Sequence, residues 1–594
     1  MPAFTAVLEL SSLNGKNGFQ INGELASDLS GASVASAGDV NGDGIADLIV
    51  AASGASPNGF ASGASYVVFG KTSGFAANLN LSKLNGKNGF QINGEAANDY
   101  SASSAASAGD INGDGFDDLI IGAESASPNG SASGASYVVF GKASGFGANC
   151  NLSTLDGVNG FQINGEAAGD HAGASVSSAG DVNGDGFDDL VIGAPSADPN
   201  GSNSGASYVV FGKASGFAAG LDLSALDGTN GFQINGEAAF DFGGSSVASA
   251  GDVNGDGFDD IILGAFGTDL NGTNSGTAYV IFGTETGFSA NLDPSTLDGS
   301  TGFQISGEAA FDALGGSVAS AGDVNGDGFD DLIVGGAGAD PNGEGSGASY
   351  VVFGNASGFS ANIDLALLDG TNGFQISGKV ADDESGGSVA AAGDVNKDGF
   401  DDLIVGAESA DSGGKSFSGA SYIIFGHANG TINRTGTDGA DILSGGEFDD
   451  EFIGLGGNDF IRSGAGADTV FGGEGEDRIA GGRGKDTLDG GGDADTFVFL
   501  SKSEGGDEIT NFVSNDFFEF KASAFDHFAK GALQAKNFVS RADNHAQDAN
   551  DHFIFRTTDD TLWFDSNGSK SGGLTEIADL SNDFALKAHD ILIG

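Results

Sequence analysis

The sequence predicts an all-β chain: a β-propeller of six repeated units, then a parallel β-roll, then a small β-rich C-terminal segment. Three observations carry this. A 71-residue period recurs six times, an Asp then recurs every nine residues, and glycine supplies 106 residues against 7 prolines. So much glycine without a Gly-X-Y period argues for short strands and tight turns, and a fixed period argues for repeat architecture.

The long period is marked by Gly-Phe-Gln-Ile, with its Phe at 19, 90, 161, 232, 303 and 374. Phe-Gly pairs recur at Phe69, Phe140, Phe211, Phe282, Phe353 and Phe425, and only the last step lengthens, to 72. Each unit reads as four short strands; in the third they are 160–164, 174–179, 189–193 and 206–211. All are rich in Val, Ile, Phe and Tyr and bounded by Gly, Asn or Asp. Four strands per unit suit the blades of a propeller, whereas a β-solenoid needs a much shorter period.

The second strand of each unit runs into an acidic loop. In the third unit it is Asp181-Val-Asn183-Gly-Asp185-Gly-Phe187-Asp-Asp189. Side-chain oxygens fall at positions one, three, five and nine, and position seven supplies a backbone carbonyl. Calcium takes six to eight oxygens, and this alternation with a Gly at position six is how an EF-hand loop supplies them. The remaining ligand sets are Asp39, Asn41, Asp43, Ile45 and Asp47; Asp110, Asn112, Asp114, Phe116 and Asp118; and Asp252, Asn254, Asp256, Phe258 and Asp260. They continue with Asp323, Asn325, Asp327, Phe329 and Asp331, then Asp394, Asn396, Asp398, Phe400 and Asp402. The helical EF-hand's distal Glu is missing, so the ninth-position Asp is expected to close the site. A plain Asp-Asn-Gly turn needs one or two such residues, not four oxygens at alternate positions. The sixth loop departs, with Lys397 where the others carry Gly.

After residue 430 the period becomes nine. Asp441, Asp450, Asp459, Asp468, Asp477, Asp486 and Asp495 are each followed two residues later by an apolar side chain, from Leu443 to Phe497. The pattern resembles the calcium-binding nonapeptides of RTX proteins, which implies that each Asp holds calcium between turns together with carbonyls while the apolar residue fills a thin core. A flexible Gly-rich linker has no reason to keep Asp in register seven times. Phe448 and Asp493 replace glycines of the pattern and mark the weaker turns.

The loops and the Gly-Ala-Pro at 193–195 make the long units resemble FG-GAP repeats, the blades of the integrin α-subunit propeller, over residues 4–430. The resemblance implies the same calcium loops and leaves six or seven blades open. It also makes Phe19-Gln-Ile an outer strand, expected to pair with the blade carrying Tyr422–Phe425 and close the ring. The nine-residue pattern resembles the nonapeptides of RTX proteins. Residues from about 496, with Asp495-Thr-Phe-Val-Phe499 and the terminal Asp590-Ile-Leu-Ile-Gly594, resemble the tail of serralysin-type proteins. That likeness implies an uncleaved type I secretion signal, which suits a first ten residues unlike a Sec signal. The expected organisation is a propeller at 1–430, a β-roll at 431–499 and a β-rich secretion segment at 500–594.

The charge constrains partners. Against 22 Lys+Arg stand 83 Asp+Glu, for a net charge of −61. Such a chain repels phosphate backbones, so nucleic acid is disfavoured. Thirty of the acids lie in the repeated motifs, counting position-eight Asp in five loops. No apolar run of about 20 residues predicts a transmembrane helix. The lone Cys150 excludes an internal disulfide, so calcium would brace an extracellular chain. With dissociation constants of about 0.1–1 mM, as in extracellular modules, the chain would stay loose until export.

No catalytic motif stands out: the six histidines form no His-Glu-x-x-His, and no nucleophile elbow or Walker loop is present. The units vary mainly beside a constant Asp at 28, 99, 170, 241, 312 and 383. Tyr100, Phe240, Phe242 and Phe311 lie there and are expected to form a ligand surface, with packing between blades as the alternative. Calcium-dependent adhesion to an extracellular protein or glycan is the leading function. A surface-layer or filament subunit and a secreted hydrolase are the alternatives.

Overall fold

A computed structural model describes residues 19–594 except 397–398, 412–418, 428–432, 438, 447, 523, 526–527, 529, 549, 569–572 and 582–583. Two compact units are present: 1–322 with 329–391 and 404–423, and 323–328 with 392–403 and 424–594. The chain is all-β, a six-bladed propeller followed by a β-rich C-terminal part, and its regular non-strand elements are short 3-10 turns. Among the described residues no helix is long and apolar enough to cross a membrane.

The second blade shows how a repeat folds. Ala105–Gly109, Asp118–Ala123, Ala135–Val139 and Gly160–Asn164 pair antiparallel in chain order. Their alternation of Val, Ile and Tyr with small residues suits a sheet buried on both faces. Gly160–Asn164 therefore closes the blade of the repeat before it, as the expected strand phase requires. The third repeat's strands, Gly160–Asn164, Ser175–Gly180, Asp189–Ala194 and Ala206–Val210, fall within one residue of the expected bounds. A fifth strand, Gly220–Asp222, adds in parallel to the outer edge.

That fifth strand corrects one expectation. Gln20–Asn22 does not pair with the blade carrying Tyr422–Phe425; it pairs in parallel with Asn78–Asn80. The parallel partner takes the edge that Gln162 offers to Gly220; the opposite edge, where Gly160–Asn164 holds Ala135–Val139, has no strand partner at Gln20–Asn22 among the described residues. The last blade has three strands among the described residues, Ser385–Gly393, Asp402–Ala407 and Ala420–Ile424.

Phenylalanine explains why the period is kept. Phe161 is fully buried, stacks on Phe217 with centroids 4.2 Å apart, and has Phe140 tilted against it at 6.0 Å. The same trio is Phe69, Phe90 and Phe146 one repeat earlier and Phe211, Phe232 and Phe288 one repeat later. Each trio joins the strand that closes one blade to a connection of the next repeat, here the one between Ala206–Val210 and Gly220–Asp222 that carries Phe217. We expect Phe161→Ala to cost about 3–5 kcal/mol, the range for a buried ring deleted from a packed core, read as a lower denaturant midpoint with calcium present. A change below about 1 kcal/mol would show that the trio is not structural.

Cys150 sits in the short fifth strand Asn149–Asn151, at the place held by Leu79 and Leu221 in the neighbouring repeats, and packs on the blade core. Burial pushes its thiol pKa up, which suits an apolar spacer.

In the second unit, two parallel sheets face each other. Strands Glu451–Ile453, Thr469–Gly473 and Thr487–Gly491 build one, and Phe460–Arg462, Arg478–Ala480 and Thr496–Phe499 the other. Phe452, Ile461, Val470, Ile479, Leu488 and Phe497 point between them and are buried. Asp507–Ile509 and Phe517–Phe520 then continue the two sheets, followed by Leu574–Leu580 and Ile591–Ile593, all over one continuous core.

Candidate metal centres

Each acidic loop joins the first two strands of a blade and is shaped by its first Asp. Asp39 accepts the N–H groups of Gly42 and Asp43 on one carboxylate oxygen (2.8 and 3.0 Å) and that of Gly44 on the other (2.7 Å). Loops three and four repeat this about Asp181 and Asp252. The ninth-position Asp is fully buried: Asp47 accepts from Gly70 N–H at 2.8 Å and from the Asn41 amide at 3.1 Å. Gly70 belongs to the recurrent Phe-Gly pair, so that glycine exists partly to hold the loop's last carboxylate. Burial, opposed by these hydrogen bonds, raises the Asp47 pKa to about 6, with Asp43 and Asp39 adding repulsion. Asp118, Asp189 and Asp260 rise to about 8, again chiefly from burial. A bound dication reverses that balance, because it stabilises the charged form.

The sets Asp39 to Asp47, Asp110 to Asp118, Asp181 to Asp189 and Asp252 to Asp260 each span one connection between strands, but among the described residues the three Asp of a set do not converge into a metal cluster. Loop five differs at its start: Asp323 forms an ion pair with Arg434. In loop six Asp394, Asn396, Phe400 and Asp402 are described, while Asp398 and Lys397 lie outside the described residues.

The Asp at position eight, one of the acids within the motifs but not one of the predicted ligands, has a different role. Asp117, Asp188, Asp259 and Asp330 each accept the N–H of the first Asp of the preceding loop, at 2.6, 2.7, 2.8 and 3.0 Å. These carboxylates clasp one repeat to the next. The spacing could not show this, because a position-eight Asp stands beside a position-nine Asp and looks like one more acid of the motif.

The roll's aspartates form a ladder. Asp450 donates its N–H to Asp468, Asp459 to Asp477, Asp468 to Asp486 and Asp477 to Asp495, at 2.8 to 3.0 Å. One oxygen of each acceptor is thereby used. The other oxygens of Asp459, Asp468, Asp477, Asp486 and Asp495 are buried without a hydrogen-bond partner. Glycines leave the room beside them: a Cβ on Gly454 would stand 2.2 Å from the Gly472 carbonyl oxygen and 2.3 Å from Asp459 Oδ2. A carbonyl and an orphaned carboxylate oxygen around a gap fit a hard cation. Asp441 lies at the start of the ladder, donating to Asp459 at 2.8 Å. Among the described residues no group of three or more His, Cys, Asp or Glu gathers as a metal cluster, so main-chain carbonyls must supply most of the oxygens.

The variable stretch lies at the other end of the blades. Successive strands alternate in direction, so the connections at 53–63 and 94–104 emerge opposite the acidic loops. They are tied together: Asn98 N–H donates to the Phe60 carbonyl and Tyr100 N–H to that of Ala61. Phe240 and Phe311 are 57% and 63% exposed, Tyr100 is 38% exposed, and Phe60 joins them at 74%. Phe242 differs: it is half-buried and stacked on Phe266 with centroids 5.1 Å apart.

Comparison with known proteins follows this geometry. The FG-GAP repeat matches six times, at 30–68, 102–139, 172–210, 243–281, 315–352 and 385–424. The RTX calcium-binding nonapeptide repeat matches 435–470 and 471–499. Integrin alpha-V of Gallus gallus is 32% identical over 238 residues, 39% of this chain and 20% of its own length. Phosphatidylinositol-glycan-specific phospholipase D of Rattus norvegicus is 36% identical over 126 residues, 20% of this chain and 14% of its own. Among solved structures, the AlgE6R3 subunit of the Azotobacter vinelandii mannuronan C5-epimerase is 27% identical over 26% of this chain and 80% of its own, with a TM-score of 0.14. The chain therefore spans a fifth or less of the integrin and phospholipase relatives it matches. The chain carries six FG-GAP repeats followed by RTX calcium-binding nonapeptide repeats.

Proposed function

We propose that this is a secreted bacterial adhesion protein, braced by calcium at the acidic loops and the roll, that binds an extracellular protein or glycan through the propeller rim opposite those loops. One observation carries the adhesive reading. Phe240 and Phe311 both have φ of +71°, a left-handed backbone that bulky residues avoid, yet their rings are largely exposed. Backbone strain at an exposed aromatic gains nothing in packing and is characteristic of binding sites. The third repeat has Gly169 at the same place, which meets the backbone requirement without strain.

Integrin alpha-V and phosphatidylinositol-glycan-specific phospholipase D match 39% and 20% of this chain and a fifth or less of themselves, so the likeness supports a shared scaffold and brings no catalytic residue to this chain. Export by a type I route fits the RTX repeats, with calcium completing the fold outside the cell.

The test is a double substitution, Phe240→Gly with Phe311→Gly. Each glycine relieves about 1 kcal/mol of backbone strain. The melting temperature in calcium should hold or rise, while retention on a glycan and matrix-protein array falls at least tenfold. Unchanged retention, or a lower melting temperature with retention intact, would sink the adhesive reading. Phe242→Ala is the contrast and should lower the melting temperature through its lost stack on Phe266.

A further inference from the structure

We propose that the carboxylate ladder holds one more calcium ion beyond the nonapeptide repeats, between Asp486 and Asp507. The inference rests on the calcium reading of the ladder itself.

Asp507 is fully buried and outside the matched repeats, which end at residue 499. Asp486 N–H donates to its Oδ1 at 3.1 Å, the bond that Asp468 N–H makes to Asp486 at 3.0 Å. Strand register agrees: Thr469 stands opposite Thr487, and Thr487 opposite Glu508, so the three aspartates before them follow one another up the sheet. The step is 21 residues instead of 18, because the turn after Phe499 is longer, and a nine-residue pattern cannot find it. Within that turn, Glu504 closes the main chain by accepting the N–H groups of Leu500 and Ser501.

Two orphaned oxygens define the gap. The Oδ2 atoms of Asp486 and Asp507 are both buried and have no hydrogen-bond partner. Two buried carboxylates side by side need a cation or a shared proton. All the donors are oxygens, with main-chain carbonyls and water completing the shell, which selects calcium over a softer metal.

The other sheet supplies the internal contrast. Asp516 continues its ladder in the same way, accepting Asp495 N–H at 3.0 Å. Its second oxygen, however, accepts Val513 N–H at 2.7 Å, so it leaves no equivalent vacancy for an ion.

The experiment counts calcium per full-length chain by atomic emission after dialysis against about 1 mM calcium. Asp507→Asn keeps an oxygen for the Asp486 N–H, and Trp563 emission checks that the unit remains folded. One ion fewer than in the unaltered chain is expected, with Asp516→Asn unchanged. An unchanged count in folded Asp507→Asn overturns the proposal and leaves a proton-sharing pair. Asp468→Asn separates the two levels: if its count is also unchanged, the calcium reading of the ladder fails first. A calcium-bound crystal structure of the unaltered chain gives the second readout. An ion within about 2.3–2.6 Å of both Oδ2 atoms supports the site, and an ion-free gap overturns it.

Discussion

Removing calcium should unfold the roll and leave Trp563 in water. The chain has one tryptophan, and its indole N–H donates to Thr561 at 2.8 Å inside the unit that contains the roll. Its emission therefore reports that unit alone. Six buried carboxylate oxygens, those of Asp459, Asp468, Asp477, Asp486, Asp495 and Asp507, have no partner. Each uncompensated buried charge costs several kcal/mol, while whole domains have only about 5–15 kcal/mol of stability. The apolar core beneath them cannot offset such a sum, so cation binding and folding are one process. With a chelator at pH 8 the emission should shift to the red and the far-ultraviolet β signal should fall; millimolar calcium should restore both. Protons substitute in part. Burial raises Asp468 and Asp495 to about 7 and Asp486 to about 6, above the ordinary 3.8. A folded-state pKa raised in this sense weakens the fold as pH climbs from about 4 to about 7. The chelated roll should therefore hold more structure at pH 5 than at pH 8. A chelated chain with unshifted emission at pH 8 would end the argument that calcium braces it.

Much of this was legible in the residues because each repeat states its own structure. Period-two apolar runs placed the third repeat's strands within a residue, and seven Asp in step placed the roll. What escaped was of two kinds. Contacts between repeats are not announced by the pattern, so Asp188 and Asp259 count only as further acids of the motifs in the sequence, whereas in the structure they are clasps. Features outside the period were also missed: Asp507 is 21 residues from Asp486, and Asn149–Asn151 carries too little apolar character to signal a strand. Phe242 illustrates a third limit. It looks like Phe240 in the sequence, and only the position of Phe266 makes one ring packing and the other surface.

The clasps decide whether the repeats act together, and cutting one should show it. Asp259 accepts Asp181 N–H at 2.8 Å, tying the fourth repeat to the third repeat's acidic loop. The same boundary carries the Val247 N–H bond to Ser175 at 3.1 Å and the Thr284 N–H bond to the Val182 carbonyl at 2.8 Å. Gly180 makes the approach possible: its φ is +72°, and a Cβ there would stand 2.3 Å from Asp259 Oδ2. Asp259→Ala leaves a main-chain donor unpaired and is expected to cost about 2–3 kcal/mol, as for other hydrogen bonds to charged groups. Gly180→Ala alone should cost more, because it adds the collision to the left-handed backbone. Combined, the two should cost at least 1 kcal/mol less than their sum, since removing the carboxylate removes the collision. Repeat arrays are held together by nearest-neighbour interfaces, so the weakened boundary should also broaden or split the thermal transition. Calcium affinity at the third loop should fall as well, because the clasp fixes the main chain of Asp181, its first position. Strictly additive costs, with a single sharp transition in every variant, would mean that Asp259 is an ordinary surface acid and that each repeat stands on its own.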